Sequence, residues 1–405
     1  MHQLLRARRP GIALAALLAT GAMTAACSSA PADSGGSKDE TIKIGYAVAL
    51  TGPNNAWDGP ILAGAELAVD DINKAGGVDG RKLELIKVDN ASSMDKTAPA
   101  ALQALEKGAK ILVPSCDYNF GSPAARAAQD KGHLVVGCAG DQLYGKTGVG
   151  PLLFNVDPLT TQIEGASMAN FAWGKGLRKA FVFKDTTIDY SKNVCRDFLT
   201  TWKTLGGSVA GQVSFANSDP SIQSQVSELA AKPDTDVIAM CSFLPGVSSA
   251  VKQIRARGVD LPIVSTGGSD GSGWLSAVPG LSNFYNNSVG SLAGDDDFGD
   301  LAGIGQRYEA LHGEKPPTDY GPIFGYSEIQ LIVEAIKAAD GSLDGATLAK
   351  EIEKFKDIEL ATGVATFTPD CHIARIAGVG IREVQNGKPN FVGRFPVDNA
   401  PKSAC

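Results

Sequence analysis

The stretch that decides the fold is residues 42–89, IKIGYAVALTGPNNAWDGPILAGAELAVDDINKAGGVDGRKLELIKVD. It opens on an alternating apolar pattern over Ile42–Ala47, which is typical of a β-strand, and the sequence TGP then marks a turn. Apolar residues recur at helical spacing from Ile61 to Ile72, and Gly76-Gly77 suits a helix end. The apolar residues that close the stretch predict a second strand. Strand, helix and strand in this order form the unit from which parallel sheets are built.

The same alternation continues along the chain and then restarts. In the first series we predict helices at 98–107 and 123–131 and strands at 109–114 and 133–137. In the remainder we predict strands at 179–184, 209–215, 236–241, 261–265 and 378–383, and helices at 191–205, 221–231, 247–257, 300–312, 325–339 and 346–355. This pattern predicts an α/β protein of two similar Rossmann-like or flavodoxin-like lobes, each a parallel sheet covered by helices.

The N-terminus predicts export. Basic residues open the chain, and the apolar run Ile12–Leu18 is too short to span a bilayer, so residues 1–26 are interpreted as a signal peptide. Small residues precede Cys27, which indicates a lipoprotein cleavage site and a lipid on that thiol. Residues 27–40 lack large apolar side chains and predict a flexible tether.

Net charge and cysteine content further limit the kinds of protein that this sequence can encode. The net charge is -7 and no basic run follows the signal, which argues against nucleic-acid binding. Six cysteines follow Cys27, an even number that favours disulfides in an exported chain while leaving their connectivity open. We favour the sequential pairs Cys116–Cys138, Cys195–Cys241 and Cys371–Cys405.

Enzyme and cofactor motifs are missing from the sequence. It contains no C-x-x-C or H-E-x-x-H pattern and no G-x-G-x-x-G turn after a strand. We therefore predict a binding protein with no catalytic residue, no metal and no cofactor.

A set of residues in and beyond the opening stretch resembles a known family, the branched-chain amino-acid-type (type I) periplasmic binding proteins. The resemblance rests on Thr51-Gly52-Pro53, Trp57, Gly64, Ala68, Asp71-Ile72-Asn73, Gly76-Gly77-Val78, Gly80-Arg81-Lys82-Leu83 and Asp89, and then on Asp189-Tyr190-Ser191, Pro245 and Gly267-Gly268. It implies two lobes joined by three crossing strands, near 155–158, 288–291 and 362–366. The first lobe would comprise 41–156 with 290–362, and the second 157–289 with 363–405.

The same resemblance implies a function. Such a protein is the extracytoplasmic solute-binding component of an ABC importer, which captures a small organic solute, here an amino acid or a related amide or carboxylate, and delivers it to a permease with its ATPase. We expect a monomer, held at the outer face of the cell membrane by its lipid alone. The alternative is a ligand-binding sensor of the same fold, and the identity of the ligand stays open.

Aromatic residues in the predicted cleft loops are candidates for ligand contact. Trp57 follows the first strand and offers a flat apolar face, and the matching position in the family touches ligand. Tyr190 can donate its hydroxyl to a ligand oxygen, and Phe243 is a candidate for an apolar wall.

Polar candidates follow the third and fourth strands. The family's amino-acid binders hold a carboxylate there with hydroxyl side chains, whereas this chain offers Tyr118, Asn119 and the backbone N–H groups of Ala139 and Gly140. This departure from the family pattern argues against a plain α-carboxylate anchor.

A carboxylate usually receives the ligand ammonium in that family. The nearest substitute here is Asp270, with Asp141 and Asp117 as rivals. If two of them face the cleft, a cationic or polyhydroxylated ligand is favoured over a neutral amino acid.

Overall fold

The computed structural model describes residues 41–376 and 378–401. The predicted signal peptide, the lipidation site Cys27, the tether and Cys405 lie outside the described residues. Among the helices that are described, none is long and apolar enough to cross a membrane.

Strands and helices alternate along the described chain. The strands are β1 Ile42–Val48, β2 Leu83–Asp89, β3 Ile111–Pro114, β4 Leu134–Gly137, β5 Leu153–Asn155, β6 Lys179–Asp185, β7 Ser208–Phe215, β8 Val237–Cys241, β9 Ile263–Ser265, β10 Phe284–Ser288, β11 Ile358–Leu360, β12 Gly363–Ala365, β13 Val379–Gln385 and β14 Lys388–Phe395. The helices are α1 Asn55–Lys74, α2 Met94–Glu106, α3 Tyr118–Gln129, α4 Thr161–Gly174, α5 Asp189–Thr204, α6 Gln223–Ala230, α7 Gly246–Ala256, α8 Leu301–His312, α9 Tyr320–Ala338 and α10 Gly345–Ile352.

The first lobe is built on a five-stranded, all-parallel sheet in the order β2-β1-β3-β4-β5. Its central strands are buried on both faces, as expected for a parallel sheet between helix layers. Helix α9 returns from late in the sequence to pack on α1. The two axes approach closely because Gly64 and Gly325 face the opposite backbone: a Cβ on Gly325 would lie 1.8 Å from the carbonyl oxygen of Ile61.

The second lobe is built on a seven-stranded sheet in the order β14-β13-β10-β9-β8-β6-β7. Strands β6 to β10 run parallel, and the C-terminal hairpin of β13 and β14 adds to β10 in antiparallel fashion. Separate apolar clusters cover its two faces, one around Phe181 and Phe183 and the other around Phe198 and Trp202. The chain thus completes both lobes with its C-terminal third. The exact residues at which each lobe begins and ends remain a prediction.

Several elements did not follow from sequence periodicity. Helix α4 is buried on most of its sides and therefore carries no amphipathic stripe. Helix α9 begins at Tyr320, five residues before the predicted start at 325, because its first turns are also buried. Strand β10 has the polar sequence FYNNS and exists because β9 and β13 pair with both of its edges.

The cysteines pair only partly as predicted. Cys116 and Cys138, at the ends of adjacent strands β3 and β4, form a disulfide with a Cα–Cα distance of 4.9 Å. The predicted Cys195–Cys241 bridge is wrong: both residues are free, buried thiols that lie side by side in the second-lobe core. Cys371 is disulfide-bonded, and its predicted partner Cys405 is outside the described residues.

Candidate ligand-binding site

A cavity of about 120 Å³ lies between the lobes, where the carboxyl ends of the parallel strands meet. Six of the nine predicted ligand contacts line it: Trp57, Tyr118, Gly140, Asp141, Tyr190 and Phe243. Asn119, Ala139 and Asp270 are not among the lining residues. Both lobes contribute to the wall, so a molecule in the cavity would contact the two halves of the protein at once.

Trp57 forms the first-lobe side of the cavity together with Tyr320. The indole Nε1 donates to the carbonyl oxygen of Cys116 at 3.0 Å, which fixes the plane of the ring. The ring centroids of Trp57 and Tyr320 are 4.4 Å apart with a tilt of 41°. The structure therefore presents a preorganised aromatic surface rather than a mobile side chain.

Tyr190 belongs to a polar network on the second-lobe side of the cavity, opposite Trp57. Its hydroxyl donates to Oε1 of Glu164 at 2.7 Å, and Oε2 of Glu164 accepts from the backbone N–H of Gly267 at 2.7 Å. The side-chain amide of Asn287 donates to the backbone carbonyl of Glu164 at 3.0 Å and to its Oε2 at 3.3 Å. Helix α4, strand β10 and the loop after β9 are thereby tied together directly beneath the cavity.

Burial changes the protonation of the acidic residues around the cavity. Desolvation raises the pKa of Glu164 to about 7 and the pKa values of Asp58 and Asp117 to about 6. The pKa of Asp157 is raised well above its ordinary value, and that of Asp141 is raised as well, both chiefly by burial. The cavity wall thus holds several carboxyl groups whose charged form a nearby cation would stabilise.

Hydrogen bonds cross the mouth of the cleft from one lobe to the other. The side chain of Asn119 in α3 donates to Oδ2 of Asp189 at 3.1 Å and accepts from the backbone N–H of Asp189 at 3.3 Å. Close by, Asn193 of α5 donates to Oδ2 of Asp141 at 2.9 Å. These contacts hold the lobes in a closed arrangement.

Asp270, the residue predicted to receive a ligand ammonium, has other partners in the structure. Its carboxylate is buried against Arg382, and its Oδ2 accepts from the backbone N–H groups of Asp319 and Tyr320, both at 2.9 Å. Arg382 also pairs with Asp319 at 2.7 Å. We correct the assignment accordingly: Asp270 positions the start of α9, and with it the ring of Tyr320.

Sequence reasoning missed several residues that line the cavity. The available sequence signal for Asp58 was its position directly after Trp57, a predicted contact; the structure shows that its side chain is buried in the cavity wall. Asp157, Glu164, Asn287 and Tyr320 also line the cavity. They lie in or next to elements that periodicity did not predict or placed too late, so no local pattern pointed to them.

The comparison with protein families agrees with this architecture. The family model of the periplasmic binding proteins matches residues 41–388, which is most of the chain. The chain belongs to the periplasmic binding protein family.

One relative is similar to the chain in sequence, and two solved structures share its fold. The Leu/Ile/Val-binding protein homolog 3 of Brucella melitensis is 24% identical over 337 residues, covering 81% of this periplasmic binding protein and 87% of the relative. The branched-chain amino acid transporter substrate-binding protein LivJ of Streptococcus pneumoniae, solved with isoleucine, is 24% identical with a TM-score of 0.78, covering 88% and 100% of the two chains. A solute-binding protein of an ABC transporter from R. palustris, solved with benzoate, is 18% identical with a TM-score of 0.78, covering 90% and 99%.

Membership in this family establishes the kind of protein. The periplasmic binding protein described here is a solute-binding protein and not an enzyme, with the type I fold of two parallel-sheet lobes. Residues of both lobes line its cavity.

Proposed function

We propose that this protein is the solute-binding component of an ABC importer, anchored through a lipid on Cys27 and delivering a small organic solute to its permease. The observation that carries the proposal is the cavity between the lobes, whose wall is contributed by both. A solute there stabilises the closed arrangement, because it gains contacts from the second lobe only when the lobes meet. A permease that recognises the closed pair of lobe rims would distinguish loaded from empty protein.

The relatives support the transport role. The protein from Streptococcus pneumoniae is described as the substrate-binding protein of a branched-chain amino acid transporter and was solved with isoleucine. The protein from R. palustris is described as the solute-binding protein of an ABC transporter and was solved with benzoate. These two ligands share only their small size and a carboxylate, so the neighbours support a compact organic solute without selecting one.

Uptake by cells tests the proposal. Deleting the gene from its source organism should abolish uptake of the solute that raises the thermal unfolding midpoint of the purified protein. Restoring the gene should restore uptake, whereas a Cys27→Ala version should no longer be attached to the membrane. Normal uptake after deletion, together with a lost transcriptional response to the solute, would favour the sensor instead.

A further inference from the structure

Acidic groups dominate the polar lining of the cavity. Among the described residues that line it, none is lysine, arginine or histidine. Five carry a carboxyl group: Asp58, Asp117, Asp141, Asp157 and Glu164. A ligand with a net negative charge would therefore meet acids from both lobes and no basic side chain in the wall.

Two of these carboxyl groups keep an oxygen available. Asp157 accepts one hydrogen bond, from the backbone N–H of Leu159 to Oδ1 at 2.8 Å. Asp117 accepts two, from Asn119 and Phe120 at 2.8 and 3.0 Å, and both reach Oδ1. In each case Oδ2 accepts no hydrogen bond from the described residues. Each lobe thus offers one carboxyl oxygen that is free to accept a hydrogen bond from a ligand.

Asn287 provides an independent sign of a missing donor. Its side chain is fully buried, and its Nδ2 points at two oxygens of Glu164, which fixes the orientation of the amide. Its Oδ1 is buried and has no hydrogen-bond partner among the described residues. Because a buried acceptor without a donor is unfavourable, an N–H or O–H group that a ligand brings to Oδ1 would be stabilising.

Aromatic rings make up much of the remaining wall. They are Trp57, Tyr118, Phe120, Tyr190, Phe243, Tyr320 and Phe324. The faces of such rings carry partial negative charge and attract cations, and their carbon atoms bury an apolar body. Rings and carboxyl groups thus favour the same ligand chemistry.

We propose that the solute is an organic ammonium ion, an amine with an apolar body and no balancing carboxylate. This inference rests on the proposed function, since it assigns the cargo of the same cavity. The ammonium N–H groups donate to Asp157, Asp117 and Oδ1 of Asn287, and the body packs between the aromatic rings. A carboxylate on the same molecule would have no cationic partner among the lining residues, and the hydroxyl of Ser115, which lines the cavity after β3, already donates to Oδ2 of Asp58 at 2.6 Å.

A matched set of ligands tests the charge requirement. Phenethylamine, isoamylamine, cadaverine and choline are compared with hydrocinnamate, hydrocinnamamide and leucine by thermal unfolding and isothermal titration calorimetry at pH 8. At least one amine should raise the unfolding midpoint, and hydrocinnamate should not. Binding confined to the acid, the neutral amide or leucine overturns the inference, and so does a complete absence of amine binding by the folded protein.

Variants then locate the contact. Asp157→Asn preserves the shape of the side chain, and we expect it to weaken amine binding roughly tenfold or more, as the loss of a charge-assisted hydrogen bond predicts. Asp117→Asn keeps the helix cap of α3 and should act in the same direction. Asp197→Asn removes an acid of similar burial that does not line the cavity, so affinity should be unchanged. Equal affinities for all three variants and the parent contradict the assignment.

The transport assay separates this inference from the proposed function. Amine binding without protein-dependent amine uptake would contradict the importer role and leave the ligand class standing. Protein-dependent uptake of an acid such as hydrocinnamate would contradict the ligand class and leave the importer role standing.

Discussion

Asn119 and Asp189 exchange two hydrogen bonds across the cleft, one through each side of the Asn119 amide, so that the first turn of α3 meets the first turn of α5. Neither residue lines the cavity. The pair therefore acts on the equilibrium between open and closed forms and not on the ligand itself.

We predict that Asn119→Ala weakens the affinity for every ligand by the same factor, roughly three- to tenfold. The reason is that the closed form loses two hydrogen bonds, one to the carboxylate of Asp189 and one from its backbone N–H. Calorimetry with two unrelated ligands checks the uniform factor, and small-angle scattering should show a larger radius for the empty variant. Lys192→Ala is the control, since Lys192 pairs with Asp189 inside the second lobe. A selective loss for one ligand would mean direct contact instead.

Trp57 should report ligand binding by fluorescence. The chain has four tryptophans, and Trp57 is the one in the cavity wall, whereas Trp202 lies in the second-lobe core. We expect the ligand-induced change in emission to disappear in Trp57→Phe and to persist in Trp173→Phe. Because phenylalanine keeps a ring opposite Tyr320, Trp57→Phe should bind more tightly than Trp57→Ala. Retention of the full signal in Trp57→Phe would contradict the placement of this ring.

The stability of the empty protein should fall as the pH rises from about 4.5 to about 7. In this window the unfolded chain releases the proton of Glu164, whose ordinary pKa is 4.5, before the folded protein does, because burial raises the folded pKa to about 7. This one group accounts for at most about 3 kcal/mol, and Asp58 and Asp117 act in the same direction. Chemical denaturation at pH 5 and pH 8 measures the difference.

Glu164→Gln should reduce that pH dependence, whereas Glu309→Gln, at an exposed site on α8, should leave it unchanged. A parent protein that is equally stable or more stable at pH 8 than at pH 5 would refute the prediction.

The buried ion pairs of Arg382 should be important for folding. Arg382→Met leaves Asp270 and Asp319 buried without their cation, and we expect a loss of about 3–5 kcal/mol in the free energy of unfolding. Arg307→Met removes ion pairs of a half-exposed guanidinium and should cost about 1 kcal/mol or less. Similar unfolding midpoints for the two variants would contradict a central role for Arg382.

The alternating strands and helices were accessible from sequence because each carries its own signal. Apolar alternation at Ile42–Ala47 and helical spacing from Ile61 to Ile72 depend only on neighbouring residues, and both elements are observed. Trp57 and Tyr190 were predicted because each follows a recognisable strand and belongs to the residues that resemble the family. Glu164 was not, because α4 is buried on most of its sides and its polar partners come from distant parts of the chain.

Asp270 shows a different limit of prediction from sequence. Its position after β9 was located correctly, and its neighbours were not: the guanidinium that it binds lies 112 residues later in the sequence. An acidic residue in a predicted cleft loop has the same local signature whether it faces a ligand or a buried arginine. Only the placement of the C-terminal strand β13 distinguishes the two roles.

The Cys116–Cys138 bridge links ligand recognition to the redox history of the molecule. Both cysteines belong to the cavity wall, and disulfides form and persist mainly in oxidising compartments. A chain folded in a reducing cytoplasm would carry two thiols in the wall of its own binding cavity. The cavity wall would then acquire its disulfide only after the chain has crossed the membrane. Oxidation would thus complete the binding cavity in the same compartment in which the protein binds its solute.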